Sequence, residues 1–112
     1  MLAKVTKISK KRDFDIIFKK GKSANGVFLI LKFAKNNLKV NRFAFIVSKK
    51  VSQKAVIRNK IRRRLFESVK EVKGGVENLD FVFIALPKTK DKNFSEIKTE
   101  VKKLLSKAGI EA

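Results

Sequence analysis

The sequence predicts a mixed α/β fold with elements in the order α-β-β-α-β-α. Three short segments are dense in β-branched and aromatic residues, three longer ones carry apolar residues at helical spacing, and turn or stop residues separate them. A length of 112 residues fits one domain of ordinary size, so residues 1–112 are expected to form a single unit. With 44% hydrophobic residues, ten of them Phe, the chain has material for one core and is unlike a disordered basic tail.

Ile8, Phe14, Ile17 and Phe18 are spaced for a short amphipathic helix, with Ser9 as its expected cap and Gly21 as its stop. Asn25-Gly26 reads as a turn into a first strand over residues 27–33, and a further short strand is expected near residues 22–24. Asn36-Asn37 is the next turn signal, and residues 42–48 read as a second, largely buried strand that forms a hairpin with the first. A long helix is expected over residues 55–72, ending before Gly74-Gly75. Residues 80–86 read as a third strand stopped by Pro87, the only proline. Asn93 or Ser95 then caps a last helix carrying Ile97, Val101, Leu104 and Leu105, which ends at Gly109. If the second and third strands are parallel neighbours, the general rule makes their helical crossover right-handed.

Charge is the strongest functional signal. The formal net charge is +19, and residues 16–66 hold fifteen Lys or Arg with no Asp or Glu. From Glu67 onward there are nine basic and eight acidic residues, so that part is nearly neutral by count. Excluding acids from half of a folded domain points to a polyanionic partner rather than to a surface kept basic for solubility. An anionic membrane surface is the rival, but a membrane-binding helix shows bulky apolar residues to lipid, whereas residues 55–72 use theirs as core. No apolar run approaches the roughly 20 residues of a membrane span. The first twelve residues do not resemble a secretory signal, and no Cys is present, so a soluble, cytoplasmic protein is expected.

In the long helix, Ile57, Ile61, Leu65, Val69 and Val72 make one apolar stripe. Asn59, Lys60, Arg63 and Lys70 point the opposite way, Arg62 and Arg64 flank the stripe, and Arg58 falls at its edge. Four of the six arginines lie in residues 58–64. Arginine offers a planar fork of donors that suits phosphate and stacks on bases. Lys49, Lys50 and Lys54 precede this helix, whose N-terminus adds free N–H groups, so the three are candidate phosphate contacts. Phe14 and Phe18 stand one turn apart, which reads either as core packing or as a shelf on which unpaired bases stack. Without His or Cys the usual general base, thiol nucleophile and metal ligands are missing, and Asp13 and Asp15 point in different directions. No catalytic or metal-binding residues are assigned, nor any nucleotide loop.

Val47-Ser-Lys-Lys-Val51, followed by Lys54-Ala-Val-Ile-Arg-Asn-Lys-Ile-Arg-Arg-Arg64, resembles the signature of the bacterial ribonuclease P protein subunit. Arg12-Asp-Phe-Asp-Ile-Ile-Phe-Lys-Lys-Gly-Lys22 and Asp80-Phe-Val-Phe-Ile-Ala85 extend the resemblance over most of the chain. It implies a two-layer α/β sandwich similar to the second domain of a small-subunit ribosomal protein, with a left-handed β-α-β crossover. It also implies a protein that pairs with a catalytic RNA to remove the 5′ leader of precursor tRNA. The RNA holds the Mg²⁺ ions that do the hydrolysis, and no organic cofactor, small-molecule substrate or membrane is involved. Carried over by motif, Arg58, Asn59, Lys60, Arg62 and Arg63 lie on the catalytic RNA. Phe14, Phe18, Leu29 and Leu31 line the leader cleft. The sequence departs from the pattern at Lys60, Phe66 and Leu86, each standing where an arginine is common, at Leu31, where an aromatic is common, and at Ala44, where glycine is common. A ribosomal-type RNA-binding protein without a catalytic RNA partner is the alternative.

Overall fold

A computed structural model describes residues 6–8, 10–36, 41–70 and 79–107. In chain order the elements are β1 (Thr6–Lys7), α1 (Lys11–Lys20), β2 (Lys22–Asn25), β3 (Leu29–Lys35), β4 (Arg42–Ile46), α2 (Ala55–Lys70), β5 (Leu79–Ala85), a 3-10 turn (Pro87–Asp91) and α3 (Phe94–Lys107). The expected order is present, the short extra strand is β2, and β1 adds a strand that periodicity did not show. The expected Ser9 cap, the turn at Asn37, and the stops at Gly74-Gly75 and Gly109 lie outside the described residues; Lys10 occupies the N-cap position of α1.

The strands form one sheet in the order β1-β4-β5-β3-β2. The expected hairpin between the segments now seen as β3 and β4 does not form, because β5 lies between them, antiparallel to β3 and parallel to β4. The reason is burial. Phe81, Val82 and Phe83 of β5 are almost wholly buried, so this strand takes the centre, covered on both faces. The hairpin is instead β2–β3, turned at Asn25-Gly26, where the Gly26 N–H donates to Leu29 O at 2.8 Å.

Alternation gives the sheet two faces. On one, Leu29, Leu31, Phe43, Phe81 and Phe83 pack under Ile61, Leu65 and Val69 of α2 and Ile97, Val101, Leu104 and Leu105 of α3. Phe43 stacks on Phe81 with ring centroids 5.1 Å apart. On the other face, register sets Arg42, Asp80 and Ala34 in one row, Ala44, Val82 and Lys32 in the next, and Ile46, Ile84 and Ile30 in the third. There Ile17 of α1 is buried with Ala44 and Val82, while Ile30, Ile46 and Ile84 stay half-buried.

Three local devices hold these layers. Gly21 ends α1 with its N–H on Ile17 O at 2.9 Å; a Cβ there would meet that carbonyl and lie 2.7 Å from Phe33 O, so no larger residue fits. The buried Glu100 of α3 accepts the Phe28 and Leu29 N–H groups at 2.7 and 2.8 Å, locking α3 to the β2–β3 hairpin. Asn93 rather than Ser95 caps α3: its Oδ1 accepts the Glu96 N–H at 2.9 Å, and Glu96 Oε1 accepts the Asn93 N–H at 3.1 Å.

Candidate nucleic-acid interface

The basic run of α2 is divided by geometry. Ile61, Leu65 and Val69 face the core, which turns Asn59, Lys60 and Arg63 to solvent. Arg58, at the edge of the stripe, turns back: its Nη1 donates to Ser52 O at 3.0 Å and to Gln53 O at 2.9 Å, bracing the loop before the helix. Arg62 donates to Asn59 Oδ1, one turn earlier, and to Val47 O at 3.4 Å, so its guanidinium is oriented along the end of β4. Arg64 ties α2 to the chain beyond the 3-10 turn, through Nη1 to Lys92 O at 2.9 Å. Lys60 and Arg63 make no ion pair with any described residue and are the open cations of the run.

Lys49, Lys50 and Lys54 are exposed on the loop entering α2. A turn with the Val51 N–H on Ser48 O at 3.0 Å, and the buried Val51 side chain beneath it, hold Lys49 and Lys50 outward. Lys54 O accepts the N–H groups of Ile57 and Arg58, so it sits where α2 begins.

Between α1, the edge of the sheet and α2 lies a cleft of about 460 Å³. Ile8, Ala44 and Phe45 form its floor, Phe14 one wall, and Arg62, Arg63 and Phe66 the other. Two segments more than forty residues apart in sequence thus line one cleft, an aromatic from α1 together with the arginines of α2. Sequence reasoning passed over Phe66 as a departure from an arginine pattern; its spacing of i+4 from Arg62 and i+3 from Arg63 was the available signal. Phe14 is half-buried, and Phe18, one turn on, is 43% exposed beyond these walls. The core residue of this helix is Ile17 between them.

Leu29 and Leu31 do not line a cleft. Both are wholly buried on the opposite face of the sheet, under α2 and α3. A shift of one residue in a strand exchanges its faces, and the β3 residues on the α1 side are Ile30 and Lys32.

Three acidic groups, Asp13, Asp80 and Glu100, are engaged inside the fold. Arg42 takes both oxygens of Asp80, from Nε at 2.8 Å and Nη2 at 2.6 Å, and reaches Asp13 Oδ2 from Nη1 at 3.1 Å. Asn36 Nδ2 adds a bond to Asp80 Oδ1 at 2.7 Å. Asp80, which reads in sequence as an isolated carboxylate, is therefore multiply bonded. The Arg42 pKa is raised above its ordinary value, chiefly by the hydrogen bonds to Asp80, against the opposing effect of burial. Because Asp80 and Glu100 are buried, the C-terminal part is more basic at its surface than by count. Lys88, Lys90, Lys102, Lys103 and Lys107 are exposed there. Among the described residues no three His, Cys, Asp or Glu converge as a metal-binding group, and no helix is long and apolar enough to cross a membrane.

Fold and cleft define a small α+β protein with helices on both faces of a mixed sheet and a basic helix forming one wall of an apolar groove. Residues 2–109 match the sequence model of the Ribonuclease P family, and the chain belongs to that family. It is 39% identical to the ribonuclease P protein component of Clostridium botulinum (strain 657 / Type Ba4), over 96% of this chain and 97% of that one. The structure of the Staphylococcus aureus RNase P protein superposes with a TM-score of 0.88 at 31% identity, covering 97% of this chain and all of the other. The RNase P protein from Thermotoga maritima gives a TM-score of 0.81 at 30% identity, with 95% and 98% coverage.

Proposed function

We propose that this chain is the protein subunit of ribonuclease P, acting in the cytoplasm with a catalytic RNA to remove the 5′ leader of precursor tRNA. The observation that carries this reading is the cleft lined by Phe14 of α1 and by Arg62, Arg63 and Phe66 of α2. Its rings and aliphatic floor suit unstacked bases of a single strand, and the guanidinium groups at its wall suit the phosphates between them. Lys60 and Arg63, with Lys49, Lys50 and Lys54 on the adjoining loop, form the surface that lies on the catalytic RNA. Lys60 acts there as a point charge in place of a forked arginine. Phe18 and the half-buried row Ile30, Ile46 and Ile84 extend the apolar surface along α1.

The chain contributes binding and charge, and the RNA performs the chemistry. The carboxylates of Asp13 and Asp80 are both bound to Arg42 and are thereby committed to the fold. Magnesium accordingly belongs to the RNA partner in this reading. Cations on α2 offset phosphate repulsion where leader, tRNA and catalytic RNA converge, a task that otherwise falls to magnesium. Family membership favours this reading over the ribosomal-type alternative. The test is single-turnover cleavage of precursor tRNA by the matching RNA across a magnesium titration. The protein alone should cut nothing, and adding it to the RNA should lower the magnesium requirement. An unshifted titration overturns the reading.

A further inference from the structure

Helix α1 buries fewer side chains than α2 or α3. Its only fully buried side chain is Ile17, whereas α2 buries Ile61, Leu65 and Val69, and α3 buries Ile97, Val101, Leu104 and Leu105. Yet α1 supplies the Phe14 wall, so any change in its seating changes the distance across the cleft to α2. One polar link reaches from the sheet to this part of α1. Arg42 Nη1 donates to Asp13 Oδ2 at 3.1 Å, and Asp13 directly precedes Phe14.

The link is built on a fixed base. Nε and Nη2 of Arg42 are both committed to Asp80, and Asn36 holds the same carboxylate from another side. The Arg42 fork cannot rotate without breaking these bonds, so its remaining Nη1 is a stationary anchor. The side chains of Arg42 and Asp13 are only 16% and 17% exposed, so solvent screens the pair weakly compared with a surface ion pair. Both carboxylates are occupied by one guanidinium, which therefore serves geometry rather than phosphate.

We propose that Asp13, acting through Arg42, is a positioning residue that sets the distance between Phe14 and the Arg62–Arg63 wall and so tunes affinity for the single-stranded 5′ leader. The proposal rests on the leader reading given above. Asp13 is the residue to alter, because truncating Arg42 would strand the buried Asp80 charge and risk the fold. Asp13→Ala leaves the Arg42–Asp80 pair intact, and Asp13→Glu keeps a carboxylate within reach of the same anchor.

The experiment measures Kd of the reconstituted protein–RNA complex for precursor tRNA with and without its leader, in the wild type, Asp13→Ala, Asp13→Glu and Phe14→Ala, alongside thermal melts of each protein. Asp13→Ala should reduce the preference for the leader-bearing RNA at least fivefold, with leaderless Kd within twofold of the wild type, and Asp13→Glu should recover most of it. A wild type that discriminates while Asp13→Ala discriminates equally well overturns the positioning role. Equal weakening toward both RNAs with a lowered melt assigns Asp13 to stability alone and also overturns it. A wild type that shows no preference for the leader removes the leader reading itself, and this proposal with it.

Discussion

Replacing Phe18 with Ala separates binding from folding, because the ring is 43% exposed and is not a core residue. A fully buried Phe costs about 3–5 kcal/mol when truncated, including the cavity it leaves. Burying a whole Phe side chain is worth roughly 1.5–3 kcal/mol in transfer terms, and little more than half of this ring is covered, which leaves about 1–2 kcal/mol. The open side of the site leaves no sealed cavity, and alanine's better helix propensity returns a few tenths of that cost. The expected loss of stability is therefore about 1 kcal/mol, read from urea unfolding with an unchanged m-value. Stacking on one base contributes about 1–3 kcal/mol, so affinity for leader-bearing precursor tRNA should fall by roughly 5- to 150-fold. Fluorescence anisotropy with the reconstituted complex measures this, and mature tRNA is the control that should not change. A core-sized loss of stability without loss of binding refutes the reasoning, as does equal weakening toward mature tRNA.

The divided roles along α2 predict different salt responses. If about six phosphates of paired RNA are neutralised, log K should fall with log salt at a slope of roughly −5. Arg63→Ala should reduce that magnitude by about 1, whereas Arg64→Ala, whose guanidinium is spent on Lys92 O, should leave it nearly unchanged. In cleavage assays the Arg62→Ala, Arg63→Ala double variant should raise the magnesium midpoint while activity at high magnesium survives; an unmoved midpoint excludes charge screening by this wall. Glu100→Ala strands the buried N–H groups of Phe28 and Leu29, at about 1–3 kcal/mol each, and should lower the urea midpoint sharply. Glu100→Gln, which keeps an acceptor, should cost much less, and equal losses would show that the carboxylate's charge rather than its hydrogen bonds matters.

What the sequence alone determined was local in origin. Helical spacing identified the stripe of Ile57, Ile61, Leu65 and Val69, and with it the outward direction of Asn59, Lys60 and Arg63. Turn chemistry located Asn25-Gly26, and the Arg-rich motif indicated the family before any fold was known. These features depend on neighbours within a few residues, where period and capping act directly. Tertiary structure decided the rest. Strand pairing follows from which strand is apolar enough to be covered twice, so β5 displaced the expected β3–β4 hairpin. The inward facing of Leu29 and Leu31 depends on register against β5, which their own run of apolar residues leaves ambiguous. Helical spacing turns Arg63 outward and leaves Arg58, Arg62 and Arg64 near the stripe, but only folding supplies Ser52, Gln53, Val47 and Lys92 as the carbonyls that orient those three. Asp80 reads as a lone carboxylate until folding brings Arg42 and Asn36 to it, because ion pairs between distant segments are written only in three dimensions.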